Sequence, residues 1–205
     1  MSDWPPIRRD DITGVVLAGG MGRRMGGVDK GLVELSGRPM VAHVIARLSP
    51  QVGPLFINAN QNQDRYAAFG FPVVPDDVSG FAGPLAGLHA GLTHATTDWV
   101  VTVPCDSPFL PLDLAARLGA GVTRAGAQLA VARTFDQPHP VFAIVRRDVL
   151  PHLSAYLDAG GRKIDAWYAT LATVEVAFDE PVDRMPLVNA FFDEHVSWLP
   201  KGFEI

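Results

Sequence analysis

Cysteine is nearly missing from this chain of 205 residues: Cys105 stands alone, which excludes an internal disulfide framework and fits a reducing compartment. No apolar run approaches the ~20 residues of a membrane helix, and the opening MSDWPPIRRD has no apolar core of signal-peptide length. A cytoplasmic protein with no membrane partner is the expectation. Excess positive charge is lacking as well. A net charge of −5 gives nucleic acid or acidic lipid no general attraction, so no nucleic-acid partner is expected and any anion must be held by a local site.

Hydrophobic residues make up 48% and charged residues 19%, an ordinary globular balance that argues against long disorder. The length suits one domain, large enough to bury roughly 70% of the surface of its unfolded form. Met1 to Asp11 is polar, contains Pro5-Pro6 and reads as a loosely held, flexible arm, with a single domain over 12–205.

The stretch with most to say is Ile12 to Gly31, ITGVVLAGGMGRRMGGVDKG. Ile12, Val15, Val16 and Leu17 form a short apolar, β-branched run that predicts a buried strand and ends abruptly in Ala18-Gly19-Gly20. Glycine serves where backbone must approach a ligand closely. Arg23, Arg24 and Lys30 follow against one acid, Asp29. A strand emptying into a glycine-rich cationic loop points to a polyphosphate site, where backbone N–H groups and cations surround an anion. It is neither of the two commoner phosphate loops. A P-loop needs Gly-Lys-Ser/Thr, whereas Lys30 lies between Asp29 and Gly31, and a dinucleotide fingerprint counted from Gly20 and Gly22 meets Met25 where its third glycine belongs.

Leu17-Ala-Gly-Gly-x-x-Arg-Arg-Met-Gly-Gly-x-Asp-Lys30-Gly resembles the signature loop of the Rossmann-like nucleotidyltransferases, and specifically of the molybdenum cofactor guanylyltransferases. The double glycine Gly19-Gly20 and the run Gly26 to Lys30 favour that branch over one using another base. The resemblance covers about Ile12 to Glu194. It implies transfer of GMP from GTP to molybdenum-bearing molybdopterin, with Mg²⁺ as cofactor and GTP and Mo-molybdopterin as substrates; transient contacts with other molybdenum cofactor biosynthesis proteins are compatible with it. The loop residues Leu17, Ala18, Gly19, Gly20, Arg23 and Lys30 would then bind nucleotide phosphates.

Further along, Pro39 is well placed to start a helix whose apolar face is Val41, Val44, Ile45 and Leu48, with Pro50 as its stop. Pro54 to Ala59 reads as a second buried strand with Asn58 where it runs out, and Phe71 to Pro75 as a third that delivers Asp76-Asp77. In open α/β sheets the ligand crevice lies beyond the carboxyl ends of strands, so Asn58 faces the same side as the glycine loop. A turn former would also suit Asn58 or Asp76; the resemblance assigns both to nucleotide binding. Gly83 to Leu88 opens a helix that runs to about His94.

Asp98 to Phe109 is the second informative stretch, because the β-branched strand Val100, Val101 and Val103 ends on Asp106. A carboxylate there is costly unless a cation meets it, and a hard oxygen ligand beside a phosphate site suggests Mg²⁺. The Pro104-Cys-Asp-Ser-Pro108 context matches the family's metal-binding acid, making Asp106 the expected metal ligand. Cys105 next to it reads as a buried, inert thiol in preference to a nucleophile paired with His139. A helix is predicted over Pro111 to Gly121 and a strand over Gln128 to Arg133. Asp136 to Pro140 then opens onto a strand over Val141 to Val145, and His139, rigidly displayed between two prolines, serves either as a contact to the second substrate or as part of a structural turn. Two helices, Asp148 to Leu157 and Arg162 to Thr170, and a strand over Thr173 to Phe178 follow. Near the end, Val188-Asn189 resembles the family's closing Val-Asn-x-Asn-Thr-Pro element, implying a pterin contact for Asn189, although Phe191, Phe192 and Asp193 replace the second Asn, the Thr and the Pro.

Alternating strands and helices indicate an α/β fold: three layers, α/β/α, around a mostly parallel sheet, of the Rossmann-like nucleotidyltransferase type. Catalytic roles fall on Asp106, Lys30 and Arg23. Rival readings are transfer of CMP to the same pterin, action on a sugar phosphate, or a GTP-binding carrier or switch without transfer activity.

Overall fold

The computed structural model describes residues 5–18, 29–78 and 83–179. In chain order its elements are β1 (Ile12–Leu17), a hairpin of β2 (Glu34–Leu35) and β3 (Arg38–Pro39), α1 (Met40–Leu48), β4 (Leu55–Asn58) and α2 (Gln63–Ala67). There follow β5 (Val73–Val74), α3 (Pro84–His94), β6 (Trp99–Pro104), α4 (Leu114–Ala125), β7 (Leu129–Thr134), β8 (Gln137–Arg146), α5 (Leu150–Asp158), α6 (Ile164–Tyr168) and β9 (Thr173–Ala177). Seven strands form one sheet in the order β5-β4-β1-β6-β8-β7-β9. All its neighbours pair parallel except β8, which runs antiparallel to both β6 and β7.

Alternation along the strands explains the three layers. Ile12, Val16, Val101, Val103 and Ile57 point to one face and pack with Val41, Val44 and Leu48 of α1 and Leu114, Leu118 and Val122 of α4. From the other face, Val15, Phe56, Val100 and Val131 meet Leu85, Leu88 and Leu92 of α3, Leu153 and Leu157 of α5, and Trp167 of α6. A central strand covered on both sides needs apolar residues in continuous sequence, and the burial of Ile12 to Val16 is the consequence. Each fully buried aliphatic side chain contributes about 1.5–3 kcal/mol relative to exposure.

Register places the site. Leu17 of β1 lies opposite Asn58 of β4 and Pro104 of β6, so three strands end at one level. The chain then stitches those ends together: Ala18 N donates to Asn58 O at 2.8 Å, Cys105 N to Leu17 O at 3.0 Å and Ala59 N to Val74 O at 3.0 Å.

Several elements differ from the sequence reading. Pro39 precedes α1 as its N-cap, because it is held in β3 opposite Glu34 and its fixed φ suits an extended entry. The helix expected over Pro111 to Gly121 is displaced to Leu114–Ala125, where the left-handed Gly126 ends it. Of the two readings of His139, the structural turn does not hold, because Gln137 to Pro140 are strand: β7 and β8 close around a two-residue loop, Phe135-Asp136, and His139 pairs with Ala132. Prolines are tolerated there because β8 runs beyond its pairing with β6, so a missing N–H breaks no ladder to that strand. Ile7 to Asp11 is not a loose arm. Ile7 packs on the core, Arg9 Nε donates to Val52 O at 2.8 Å, and Arg8 pairs with Asp11 across a single helical turn. Among the described residues no helix is long and apolar enough to cross a membrane.

Candidate active site

Asp106 follows the end of β6 and is only 7% exposed. Lys30, in the helical turn Lys30–Leu32 that returns from the glycine-rich loop, places Nζ 3.6 Å from Asp106 Oδ2. Two residues 76 positions apart are thus joined where β1 and β6 end. Burial raises the Asp106 carboxyl above its ordinary range, while the Lys30 charge and a backbone hydrogen bond pull it back down. The charge on Asp106 is therefore stored at some cost and met by only partial compensation within the chain.

At the ends of β4 and β5, strand-end amides organise a second carboxylate. Asn58, 2% exposed, donates through Nδ2 to Asp76 Oδ1 at 2.9 Å and to Val74 O at 3.2 Å. Asn60 holds the same acid from both ends, donating from Nδ2 to Oδ2 at 2.7 Å and accepting from Asp76 N at 2.8 Å. Asn58 and Asp76 were expected separately at the crevice; the structure joins them directly. Helix α3 packs against Asn58. A Cβ on Gly87 would stand 2.5 Å from Asn58 Oδ1 and 2.7 Å from Leu17 Cδ2, so only glycine lets the helix approach the strand ends this closely.

A third group lies under Lys30. Tyr66 of α2, fully buried, donates from its hydroxyl to Asp29 Oδ1 at 2.5 Å, and Asn62 Nδ2 donates to Asp29 Oδ2 at 2.8 Å. Burial and the neighbouring charges push the Tyr66 hydroxyl far above its ordinary value, which keeps it a donor. Cys105 is buried, and its thiol is driven up by burial and by Asp106 and Asp29. It is a protonated packing residue, as the sequence reading had it.

His139 lies half-buried on β8, its Nε2 2.6 Å from Thr134 Oγ1 and its ring edge-on to Phe142. Burial lowers its pKa, favouring the neutral ring. β8 is antiparallel to β6, so the segment of β8 preceding Phe142 extends past the end of β6, on the side where Asp106 sits. Gly19, Gly20, Arg23 and Asn189 lie outside the described residues. Asn60, Asn62 and Tyr66 were not singled out from sequence; Asn60-Gln-Asn62 just beyond a strand was the signal available, and nothing in sequence connected Tyr66 to Asp29.

Residues fit to hold a metal are few. Among the described residues no cluster of three or more His, Cys, Asp or Glu forms a ready cage. Mg²⁺ does not require one: it is commonly held by one or two carboxylates together with substrate phosphates and waters. A single, buried, undercompensated carboxylate beside a lysine fits that mode.

The family described as "MobA-like NTP transferase domain" matches residues 14–174, a range containing Leu17, Lys30, Asn58, Asp76 and Asp106. The molybdenum cofactor guanylyltransferase of Cupriavidus taiwanensis is 54% identical over 179 residues, covering 85% of this chain and 90% of that protein. The chain belongs to the molybdenum cofactor guanylyltransferases. A second relative of that name, from Cupriavidus necator, is also 54% identical over the same shares of the two chains. The fold agrees with the membership. Molybdopterin-guanine dinucleotide biosynthesis protein A from Archaeoglobus fulgidus superposes with a TM-score of 0.71 at 24% identity, over 86% of this chain and 92% of its own.

Proposed function

We propose that this chain transfers GMP from GTP to Mo-molybdopterin, releasing pyrophosphate and forming the guanine dinucleotide cofactor, in the cytoplasm and with Mg²⁺. The observation carrying this reading is the Lys30–Asp106 pair at the converging ends of β1 and β6, in a member of the guanylyltransferase family.

In the proposed step the terminal phosphate of the pterin attacks the α-phosphorus of GTP in line. A new P–O bond forms there, the bond from the α-phosphorus to the bridging oxygen breaks, and that oxygen leaves with pyrophosphate. The nucleophile is already ionised, so no general base is required. Lys30, with Arg23 and the backbone N–H groups after Leu17, holds the β- and γ-phosphates and offsets charge on the leaving group. Asn58 and Asp76 position the nucleoside, Asp76 being pre-oriented by Asn58 and Asn60. Asp106 would hold the Mg²⁺, whose chemistry in such a site is to neutralise phosphate oxygens as charge develops. His139 and Asn189 are the proposed contacts to the pterin.

The test is product identification. Protein incubated with Mg²⁺, molybdopterin carrying molybdenum and either GTP or CTP should yield the guanine dinucleotide and pyrophosphate from GTP. Equal conversion of CTP would overturn the choice of base; no nucleotidyl product from either would overturn the reaction.

A further inference from the structure

Asp29 poses an electrostatic problem that its neighbours resolve. It is the lone acid in a loop otherwise furnished with Arg23, Arg24 and Lys30, and a carboxylate free to face a polyphosphate would repel it. Both of its oxygens are occupied from the α2 side, Oδ1 by the Tyr66 hydroxyl at 2.5 Å and Oδ2 by Asn62 Nδ2 at 2.8 Å.

The residue on the other side of Lys30 is fixed by the same tyrosine. A Cβ on Gly31 would stand 2.6 Å from the Tyr66 hydroxyl and 2.9 Å from Cys105 Sγ, so the Gly31 backbone is seated against both. Cys105 is the residue immediately before Asp106. Lys30 is thereby bracketed, with its preceding side chain latched to α2 and its following backbone seated against Tyr66 and the end of β6. The base of the latch is itself anchored: Asn62, in the left-handed conformation at φ 52°, immediately precedes α2 and accepts from Tyr66 N through its backbone O at 3.1 Å, and Gln63 Nε2 donates to Ala59 O at 3.1 Å just past the end of β4.

We infer that Tyr66 and Asn62 are positioning residues for Lys30, acting through Asp29: they set where the lysine ammonium stands relative to Asp106 and to the phosphates of a bound nucleoside triphosphate. This rests on the reading of Lys30 as a phosphate ligand. A packing role alone for Tyr66 would be served equally by phenylalanine. Positioning needs the hydroxyl, and it predicts an effect on phosphate recognition that vanishes once the lysine is gone.

The experiment is a double-mutant cycle read by calorimetry with GTP and with guanosine. Tyr66→Phe keeps the buried ring and removes one oxygen; it should weaken GTP about tenfold, the lower range for losing a hydrogen bond to a charged group, and leave guanosine unchanged. Combined with Lys30→Ala, it should add nothing further to the GTP loss. Asn62→Gly, which suits the left-handed backbone, provides a second arm with the same expected pattern, and it decides the matter should Tyr66→Phe fail to fold. A loss that persists in full on the Lys30→Ala background, or that strikes guanosine equally, would overturn the positioning role. Should Lys30→Ala itself leave GTP affinity unchanged, the phosphate reading of Lys30 falls first, and the positioning role falls with it.

Discussion

Lys30 Nζ and Asp106 Oδ2 face each other at 3.6 Å with their side chains 21% and 10% exposed, an ion pair withdrawn from water at the end of the central strands. Stability is a poor reason for such a pair, since desolvation consumes much of the Coulombic gain. Under the proposed function each partner instead serves an incoming ligand: Lys30 as a fixed cation for phosphate and Asp106 as a fixed anion for a metal.

Replacing Lys30 with Ala should therefore weaken GTP far more than guanosine. A charge-assisted hydrogen bond contributes ~1.5–3 kcal/mol, so roughly ten- to a hundredfold in GTP affinity is expected, with guanosine nearly unaffected. Calorimetry with both ligands distinguishes this from a lysine that merely supports the fold, for which the two would weaken together.

Asp106→Asn should separate stability from activity. In the folded chain burial raises the Asp106 carboxyl, so the folded state holds that proton more tightly than the unfolded state does. Stability associated with the neutral form is full below the ordinary carboxylate range and is lost as pH rises through the raised value. Asparagine imitates the neutral form, so the metal-free variant should melt above the parent at neutral pH, and the gap should close as pH falls below the ordinary carboxylate range. Turnover should drop by something like the ~10²–10³-fold typical of losing an electrostatic stabiliser. A variant with near-normal Mg²⁺-dependent turnover would remove Asp106 from the site.

Cys105 offers a contrast. Its thiol is buried and pushed far above its ordinary value, so it is neither charged nor accessible enough to act as a nucleophile. Cys105→Ser keeps the size and should leave turnover within a few-fold, whereas loss of a covalent nucleophile would cost orders of magnitude. Slow alkylation of the native protein at neutral pH is the companion measurement.

The parts of this molecule that local patterning governs could be read from sequence. β-Branched runs marked β1 and β6, the apolar Leu55-Phe56-Ile57 marked β4, the 3.6-residue spacing of Val41, Val44, Ile45 and Leu48 marked α1, and Asp106 stood out as a charge at the end of an apolar strand. What escaped depends on residues distant in the chain. The five-residue α2 has no apolar period to detect, and Tyr66 matters because it meets Asp29, 37 positions earlier. His139 between two prolines looked like a turn because local propensity favours one there, but β7 supplies a partner and makes it strand. Asn58 and Asp76 were visible singly, while the hydrogen bond that makes them one unit depends on the pairing of β4 with β5.

Gly87 gives the last prediction, and a counterintuitive one by helix propensity. It sits inside α3, where exchanging glycine for alanine normally gains about 0.5–1 kcal/mol. Here the added methyl would lie 2.5 Å from Asn58 Oδ1 and 2.7 Å from Leu17 Cδ2. Asn58 has little room to retreat, being buried and bonded to Val74 O and Asp76, and Leu17 ends the central strand. Overpacking of this kind costs about 1–3 kcal/mol, so the clash outweighs the propensity and Gly87→Ala should lower Tm. If α3 moves outward to relieve it, Asn58, which holds Asp76, loses the helix packed against it, and affinity for guanosine should fall together with affinity for GTP. That is the reverse of the pattern expected for Lys30→Ala, where only the triphosphate suffers. A Gly87→Ala protein that melts higher and binds guanosine normally would show that α3 does not constrain the nucleoside side of the site.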